Sequence, residues 1–321
     1  MNNDILEMLI GADDYVSGEE LSRRLGVSRT AVWKKINALR KEGYVIESST
    51  KKGYLLKSKP DFLDKKALSA NLDTNLIGRE IDVMRSVDST NEEIKRRAAA
   101  GAASGLIVAA DEQTGGKGRL GRVWKSDSGG IYFTILIRPE LSPSEISAIT
   151  LAAGYAVCLA VREYTALDAK IKWPNDIIIG NKKICGILTE MAAQTDRVDY
   201  VAIGIGINVN HESFPEEISE KASSLYLELG KKLDRNDFFR CVIRKLDKVL
   251  SDFLVSFSSD DLNEFRSLCA TIGRHVSVSR NGTLLEGKAT DLTPGGELVI
   301  TDNSGKEYII NSGEVTVQGI Y

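Results

Sequence analysis

"DEQTGGKGRLGRVW", Asp111 to Trp124, directly follows a β-branched run, "LIVAADEQ" (106–113), and how it is read decides the fold. Gly115, Gly116, Gly118 and Gly121 free the backbone and remove side-chain bulk, while Lys117, Arg119 and Arg122 supply positive charge. A loop of this kind can cradle a phosphate, follow a nucleic-acid backbone or act as a solvated linker. It is not a P-loop, which needs G-x-x-x-x-G-K-[ST] before a helix; Arg119 follows Gly118 here, and no helix follows. "GIGIN" (204–208) likewise lacks the G-x-G-x-x-G spacing of a dinucleotide fold.

Outward from the loop, the chain reads as α+β. "IYFTILIRP" (131–139), "KIKW" (170–173), "DIIIG" (176–180), "KICGILTEM" (183–191) and "YVAIGIGINVN" (200–210) are strands rich in β-branched residues. "PSEISAITLAAGYAVCLAVREY" (143–164) is a long apolar helix. "NDFFRCVIRKLDKVLSDFL" (236–254) carries Phe239, Val242, Leu246, Val249 and Phe253 on one helical stripe. From Arg274 short strands alternate with the turns "RNG", "TPGG", "DNSG" and "NSG", the texture of a small β-barrel.

Residues 1–59 have a different character. "DILEMLI" is a short amphipathic helix; Ser17 caps "GEELSRRLG", which ends at Gly26; Ser28 caps 29–43. In that third helix Val32, Ile36 and Leu39 form a buried face, leaving Arg29, Thr30, Lys34, Asn37 and Arg40 outward. "YVIESSTKKGYLL" then alternates as a hairpin tipped by Lys51, Lys52 and Gly53. This is the pattern of a winged helix-turn-helix, whose second helix enters the major groove while the wing touches the backbone. Ser28, Arg29, Thr30, Lys34, Lys35, Lys51 and Lys52 are its candidate DNA contacts. A small protein-interaction domain is the alternative reading. "KSKPDFLDKK" (57–66) is the linker.

Bulk properties agree. A chain of 321 residues suggests two domains or three. The net charge of -3 conceals a head in which residues 23–59 hold 11 Lys/Arg against Glu42 and Glu47, net +9, which suits a polyanionic partner. Cys158, Cys185, Cys241 and Cys269 show no C-x-x-C spacing and read as reduced thiols of a cytosolic protein. With only His211 and His275, a zinc site or a histidine-based nucleophile triad is not expected. "MNNDILEMLIGADD" has no cationic n-region, so no signal peptide is expected. The run "LAAGYAVCLAV" (151–161) is too short to span a bilayer, which needs ~20 residues, so no membrane association is expected.

Four further motifs carry chemistry. "SVDSTNEE" (86–93) offers a capping box at Ser89 or Thr90, hence a helix start or a polar recognition site. "KWPND" (172–176) displays Lys172, Asn175 and Asp176 at a strand end; Asn and Asp also suit a mere turn. "NKKICGILTE" (181–190) puts Lys183 on an apolar strand, where it snorkels to solvent or aims at an anion. The glycines of "GIGIN" permit close approach of a ligand or a second backbone.

In this order and spacing, "SVDSTNEE", "DEQTGGKGRLGRVW", "KWPNDI", "KKICGILTE" and "IGIGINVN" resemble the biotin–protein ligases, and with the winged head the chain is similar over essentially its whole length to the bifunctional ligase/biotin-operon repressor family of bacteria. The resemblance implies an N-terminal winged helix-turn-helix (1–60), a central mixed β-sheet with helices that binds biotin and ATP (61–271), and a C-terminal small SH3-like β-barrel (272–321). It implies ATP, Mg2+ and biotin, with biotinyl-5'-AMP as intermediate and corepressor. Its partners would be a biotin carboxyl carrier protein or biotin-dependent carboxylase acceptor domain, operator DNA, and a second copy of the chain when loaded with biotinyl-AMP. By the same resemblance, Ser89, Thr90, Asn91, Gln113, Gly116, Lys117, Gly118, Arg119, Lys183, Gly186, Leu188 and Gly204 bind biotin, with Gly206 in the floor. Arg119, Arg122, Trp124, Asn175, Lys183 and Asn208 bind ATP or the adenylate. Lys183, Arg119 and Asp176 are catalytic, Asp176 toward the incoming acceptor lysine. The metal ligands are not identified. Two departures stand out: Lys117 and Leu120 occupy positions where the family often has Arg, so that Leu120 is expected to pack on the closed loop; and "HESFPEEISEKASSL" (211–225), where the family folds a loop over adenine, is acidic and lacks Trp. A ligand-sensing transcription regulator without ligase activity, and a lipoate or octanoate ligase, are the alternatives.

Overall fold

The computed structural model describes residues 2–41, 43–140, 142, 146–193, 197–255, 259–280, 283–311 and 313–321. The chain divides into two compact units, Met1–Asp61 and Phe62–Tyr321.

The first unit holds α1 (Asn2–Ile10), α2 (Gly18–Leu25), α3 (Arg29–Lys41) and an antiparallel hairpin of β1 (Val45–Ser49) and β2 (Gly53–Ser58). Ser17 Oγ accepts the Glu20 N–H at 3.0 Å, and Ser28 Oγ accepts that of Ala31 at 3.2 Å, so both caps form. Ile5, Leu21, Val32, Ile36, Leu39 and Ile46 make the core. Arg40 departs from expectation: its Nε and Nη2 donate to Ile46 O at 3.0 and 2.7 Å, and its Nη1 donates to Asn37 Oδ1 at 3.2 Å. Both residues are half-buried, and Arg40 ties α3 to the hairpin instead of facing outward. Ser28, Arg29, Thr30, Lys34, Lys51 and Lys52 are exposed, and Lys35 is half-buried.

The second unit begins with α4 (Lys65–Ser69), β3 (Glu80–Val87), α5 (Thr90–Ala99), β4 (Leu106–Gln113), β5 (Ile131–Ile137) and α6 (Ile146–Thr165). β6 (Ala169–Lys172), β7 (Asp176–Ile179), β8 (Lys182–Ala193) and β9 (Val198–Ile207) follow. Pro143–Glu145 of the expected long helix lie outside the described residues. These strands form a seven-stranded mixed sheet in the order β3-β4-β5-β9-β8-β7-β6; β3 and β4 are parallel and every other pair is antiparallel. Alternation along β4 sends Leu106 and Val108 to one face, against Ile94 and Ala98 of α5, and Ile107 and Ala109 to the other. That second face belongs to the large core with α6 and α9 (Arg235–Val255), where Phe239, Val242 and Leu246 are fully buried. Between sheet and helix come α7 (Glu216–Ser219) and α8 (Leu225–Leu229), and after them α10 (Ser259–Leu268).

A five-stranded antiparallel sheet completes the unit: β10 (His275–Arg280), β11 (Thr283–Leu292), β12 (Leu298–Thr301), β13 (Glu307–Ile310) and β14 (Glu314–Val317), ordered β13-β12-β11-β10-β14. Asn281 and Gly282 of the "RNG" turn and Ser312 of "NSG" lie outside the described residues. Val276, Val278, Leu298 and Ile300 join the same core as the main sheet. Trp173 fastens the two sheets, its Nε1 donating to Gly296 O at 3.0 Å.

Candidate active site

The Gly/Arg loop leaves β4 from an anchored base. The Asp111 carboxylate accepts from the fully buried Arg235 Nη2 at 2.9 Å, from Arg85 Nη1 at 2.8 Å and from the Leu63 N–H at 3.0 Å. With its charge paired and both oxygens hydrogen-bonded, burial of Asp111 is tolerated. Beyond β4 the loop folds on itself. Trp124 N–H donates to Gly116 O at 2.9 Å and Gly118 N–H to Arg122 O at 2.7 Å, and Arg119–Gly121 form one 3₁₀ turn. Leu120, at φ 57, is 73% exposed, so it does not pack on the loop as its apolar character suggested.

Beneath the loop lies a slot of about 50 Å3 lined by Ser89, Thr90, Gln113, Gly186, Leu188 and Gly204, among others. Thr90 N–H and Oγ1–H both donate to Gln113 Oε1, at 2.8 and 3.1 Å, and Gln113 Nε2 donates to Ser126 Oγ at 2.8 Å. Ser89 is the N-cap of α5 but makes no side-chain cap bond; the expected capping box is not formed, and Glu92 and Glu93 are drawn to cations instead. Thr134, buried in the middle of β5, donates to Asn91 Oδ1 at 2.6 Å, and its Oγ1 lies 2.8 Å from Thr90 Oγ1. Asn91 Nδ2 donates to Glu190 Oε2 at 2.8 Å. Gly204 makes room for this cluster, since a Cβ there would stand 2.0 Å from Asn91 Oδ1.

An ionic chain runs from this cluster to the loop. Lys95 Nζ lies 2.7 Å from Glu190 Oε1 and 3.0 Å from Glu92 Oε1, and Lys117 Nζ lies 2.7 Å from the same Glu92 oxygen. Lys117 first, then Lys95, lowers the Glu92 pKa. Burial works against charge on Lys95, but Glu190 and Glu92 outweigh it and its pKa is raised.

The Trp124 indole lies on the glycine floor: a Cβ on Gly206 would stand 2.5 Å from its buried Nε1, which has no hydrogen-bond partner. Ligand pockets ordinarily enclose ~300–1,000 Å3, so this ring accounts for the small size of the slot. Lys183 Nζ stands 5.1 Å from the Trp124 ring centroid and 2.6 Å from Asp176 Oδ1, aimed inward and not snorkelling. Asn175 bridges elements: its Nδ2 donates to Ile187 O at 2.9 Å while its Oδ1 accepts from Arg119 Nη1 at 2.9 Å. Arg119 Nη2 also donates to Gly313 O at 3.2 Å, so the loop touches the second sheet.

A wider cavity of about 890 Å3 adjoins the slot and shares Arg119, Trp124, Asn175 and Lys183 with it. Asp176, Arg122 and Asn208 line only the wider one, together with His211, Phe214 and Tyr321. Asn208 Nδ2 donates to Ser223 O at 3.0 Å, and Lys183 is strapped through its backbone to Lys221 and Ser223, so the 211–225 segment closes over one side. Gly116 lines neither cavity; its carbonyl anchors Trp124. The DNA candidates lie in the other compact unit. Sequence reasoning missed Thr134, Ser126, Glu190 and Tyr321. Only Thr134, a lone polar residue in "IYFTILI", left a signal. Among the described residues no cluster of three or more His, Cys, Asp or Glu side chains could hold a metal.

One sheet thus gathers a polar slot, an ordered cationic loop and an inward lysine around Gly186, Gly204 and Gly206. Residues 83–208 match the biotin/lipoate A/B protein ligase family, residues 271–317 the biotin protein ligase C terminal domain, and residues 2–55 an HTH domain. Fold and site therefore define a ligase of the biotin/lipoate class carrying a helix-turn-helix head. The chain is 37% identical to the bifunctional ligase/repressor BirA of Bacillus subtilis over 320 residues, 97% of each chain. It is 31% identical to that of Escherichia coli, over 84% of this chain and 83% of the relative. Its structure resembles the biotin protein ligase from Aquifex aeolicus in complex with biotin and ATP, with a TM-score of 0.66 and 32% identity, covering 75% of this chain and 99% of that one. The chain belongs to the bifunctional ligase/repressor BirA family.

Proposed function

We propose that this protein joins biotin to an acceptor lysine through biotinyl-5'-AMP and, loaded with that adenylate, represses genes of biotin synthesis and uptake. The observation that carries the reading is the sharing of Lys183, Arg119 and Asn175 between the polar slot and the wider cavity. Biotin would take the slot as the Trp124 indole lifts from the glycine floor, with its ureido group toward Ser89, Thr90, Asn91 and Gln113 and its carboxylate toward Lys183. ATP fits the cavity, where Arg122, Trp124, Asn175 and Asn208 hold the nucleotide. A carboxylate oxygen of biotin attacks the α-phosphorus, the bond to the β-phosphate bridging oxygen breaks, and pyrophosphate leaves. Lys183 and Arg119 stabilise the charge that builds on the phosphate oxygens; no protein nucleophile is needed. Mg2+ would enter with the nucleotide and would supply charge neutralisation to its phosphates.

The working parts are a DNA-binding head (1–60), a catalytic part (61–271) and a C-terminal part (272–321). The head grips operator DNA through Ser28, Arg29, Thr30, Lys34, Lys35, Lys51 and Lys52. Two adenylate-loaded copies would match a two-fold operator. No helix among the described residues is long and apolar enough to cross a membrane.

Incubation with ATP, biotin and a biotin carboxyl-carrier domain tests the ligase. A mass gain of one biotinyl group on the carrier is expected, and biotin binding with no gain would leave a pure sensor. Exchanging biotin for lipoate or octanoate in the same assay tests the acid. A gel shift on a biotin operator tests the repressor, and equally weak binding with and without biotinyl-AMP would refute it.

A further inference from the structure

Asp176, the first residue of β7, and Tyr321, beyond β14, are 145 residues apart in sequence but adjacent in the fold. The Tyr321 hydroxyl donates to Asp176 Oδ2. The other carboxylate oxygen, Oδ1, faces Lys183 Nζ at 2.6 Å. Lys172 Nζ stands 3.5 Å from the centroid of the same phenol ring, a cation–π distance. All four residues line the wider cavity. Burial first, and then the Asp176 charge, pushes the Tyr321 pKa up, so the phenol keeps its proton and remains a donor. One oxygen of Asp176 is therefore fixed and the other is left for a cation.

We propose that Tyr321 is a positioning residue for the transfer half-reaction: it holds Asp176 by Oδ2 so that Oδ1 is presented first to Lys183 and then to the ammonium of the acceptor lysine. This rests on the ligase reading. The phosphate of a bound acyl-adenylate competes with Asp176 for Lys183. Once Lys183 turns to the phosphate, Asp176 is a largely buried carboxylate without its cation, a costly arrangement that a second ammonium relieves. The acceptor ammonium gives one proton to Asp176 Oδ1. Its nitrogen then attacks the acyl carbon, the C–N bond forms as the acyl C–O bond to phosphate breaks, and AMP leaves. The second N–H proton, and the one held by Asp176, pass to solvent. A carboxylate pinned at one oxygen meets the amine in a reactive geometry more often than one free to rotate.

The test separates the half-reactions. ATP–pyrophosphate exchange reads adenylation, and mixing the preformed biotinyl-AMP complex with a carrier domain reads transfer in a single turnover. Tyr321→Phe keeps the ring over Lys172 and removes only the donor. Its transfer rate constant at saturating carrier is expected to fall about tenfold, the scale of a lost hydrogen bond to a charged group, with exchange changed far less. Replacing Tyr321 by 4-aminophenylalanine, which restores a donor on the same ring, is expected to recover most of the loss; a purely structural role would show no such rescue. Tyr321→Phe added to Asp176→Asn is expected to slow transfer no further than Asp176→Asn alone. Equal transfer by Tyr321→Phe and wild type, parallel losses in both half-reactions, or full additivity with Asp176→Asn overturns the inference alone. A wild-type protein that labels no carrier overturns the ligase reading and this inference with it.

Discussion

Lys183 Nζ and Asp176 Oδ1 are held 2.6 Å apart, at the starts of neighbouring antiparallel strands. The pair neutralises charge in a site whose floor is glycine and whose wall is an indole. It also sets Lys183 where an anion can take it over from Asp176. Lys183→Ala is therefore expected to slow adenylation by a factor on the order of 10²–10³, the scale for losing one charge-stabilising group. Carrier binding should change little. Pyrophosphate-exchange kinetics close to wild type would refute this role.

Arg119 ties the loop to Asn175 on one side and to the Gly313 carbonyl on the other. Both bonds come from one guanidinium, whose fixed fork suits two acceptors at once. Arg119→Gly removes them together and adds backbone freedom to the loop. Biotinyl-AMP is expected to dissociate ~10–100-fold faster, as two charge-assisted hydrogen bonds of ~1.5–3 kcal/mol each are lost and partly replaced by water. A chase of labelled adenylate measures it, and an unchanged off-rate counts against the clamp.

What could be read from the sequence, and what could not, follows the range of the forces involved. The head was legible because caps and buried stripes are local: Ser17, Ser28, Val32, Ile36 and Leu39 act within a few residues of themselves. Gln113 and Thr90 sit at a strand end and a helix start, where short motifs point. Tyr321, Glu190 and Ser126 carry no local signal; they reach the site only because the seven strands order non-sequentially and the second sheet packs beside them. Arg40 misled because helical periodicity gives a direction and not a partner, and the Ile46 carbonyl was waiting there. Leu120 misled in the opposite sense, as an apolar residue on a φ-positive turn that faces solvent.

Gly204 and Gly206 oppose two different neighbours. A methyl on Gly204 would overlap Asn91 Oδ1 at 2.0 Å, and one on Gly206 would overlap Trp124 Nε1 at 2.5 Å. Asn91 is locked by Thr134 and Glu190, so Gly204→Ala is expected to destabilise the fold by ~1–3 kcal/mol, the cost of overpacking. Trp124 sits on a loop that can yield. Gly206→Ala is therefore expected to cost less stability and more biotin affinity. Thermal unfolding and biotin titration on both variants decide it, and an identical pattern in the two would show that the loop is as rigid as the sheet.

In the head, exposure separates stability from contact. Lys34, Lys51 and Lys52 are exposed, whereas Arg40 is bonded into the hairpin. Lys34→Ala, Lys51→Ala and Lys52→Ala are each expected to weaken operator binding and to reduce its salt slope by about one. Arg40→Ala is expected to lower the unfolding midpoint of the head, with weaker binding only as a consequence. Salt-dependent binding isotherms beside melting curves distinguish the two classes.

His211 links the 211–225 segment to pH. Tyr132 donates its hydroxyl proton to Asp127 O at 2.7 Å, so its oxygen is left to accept from His211 Nε2 at 3.1 Å. That assignment leaves Nδ1 bare, buried and without a partner. Charging the ring would put a proton on Nδ1 with nothing to receive it. Burial accordingly lowers the His211 pKa below its ordinary 6.5. Above 6.5 the ring is neutral in both folded and unfolded chains, and its contribution to stability is fully present. As pH falls below 6.5 the unfolded chain takes up a proton that the folded one refuses, so stability drops until the folded pKa is passed. His211→Gln keeps a donor for Tyr132 without a titrating ring. Between about pH 7.5 and about pH 5.5 the wild-type midpoint is expected to fall further than that of His211→Gln. Parallel midpoint curves for the two proteins would mean that the ring reaches a proton acceptor in solution, and that the segment opens more readily than its backbone bonds to Lys183 imply.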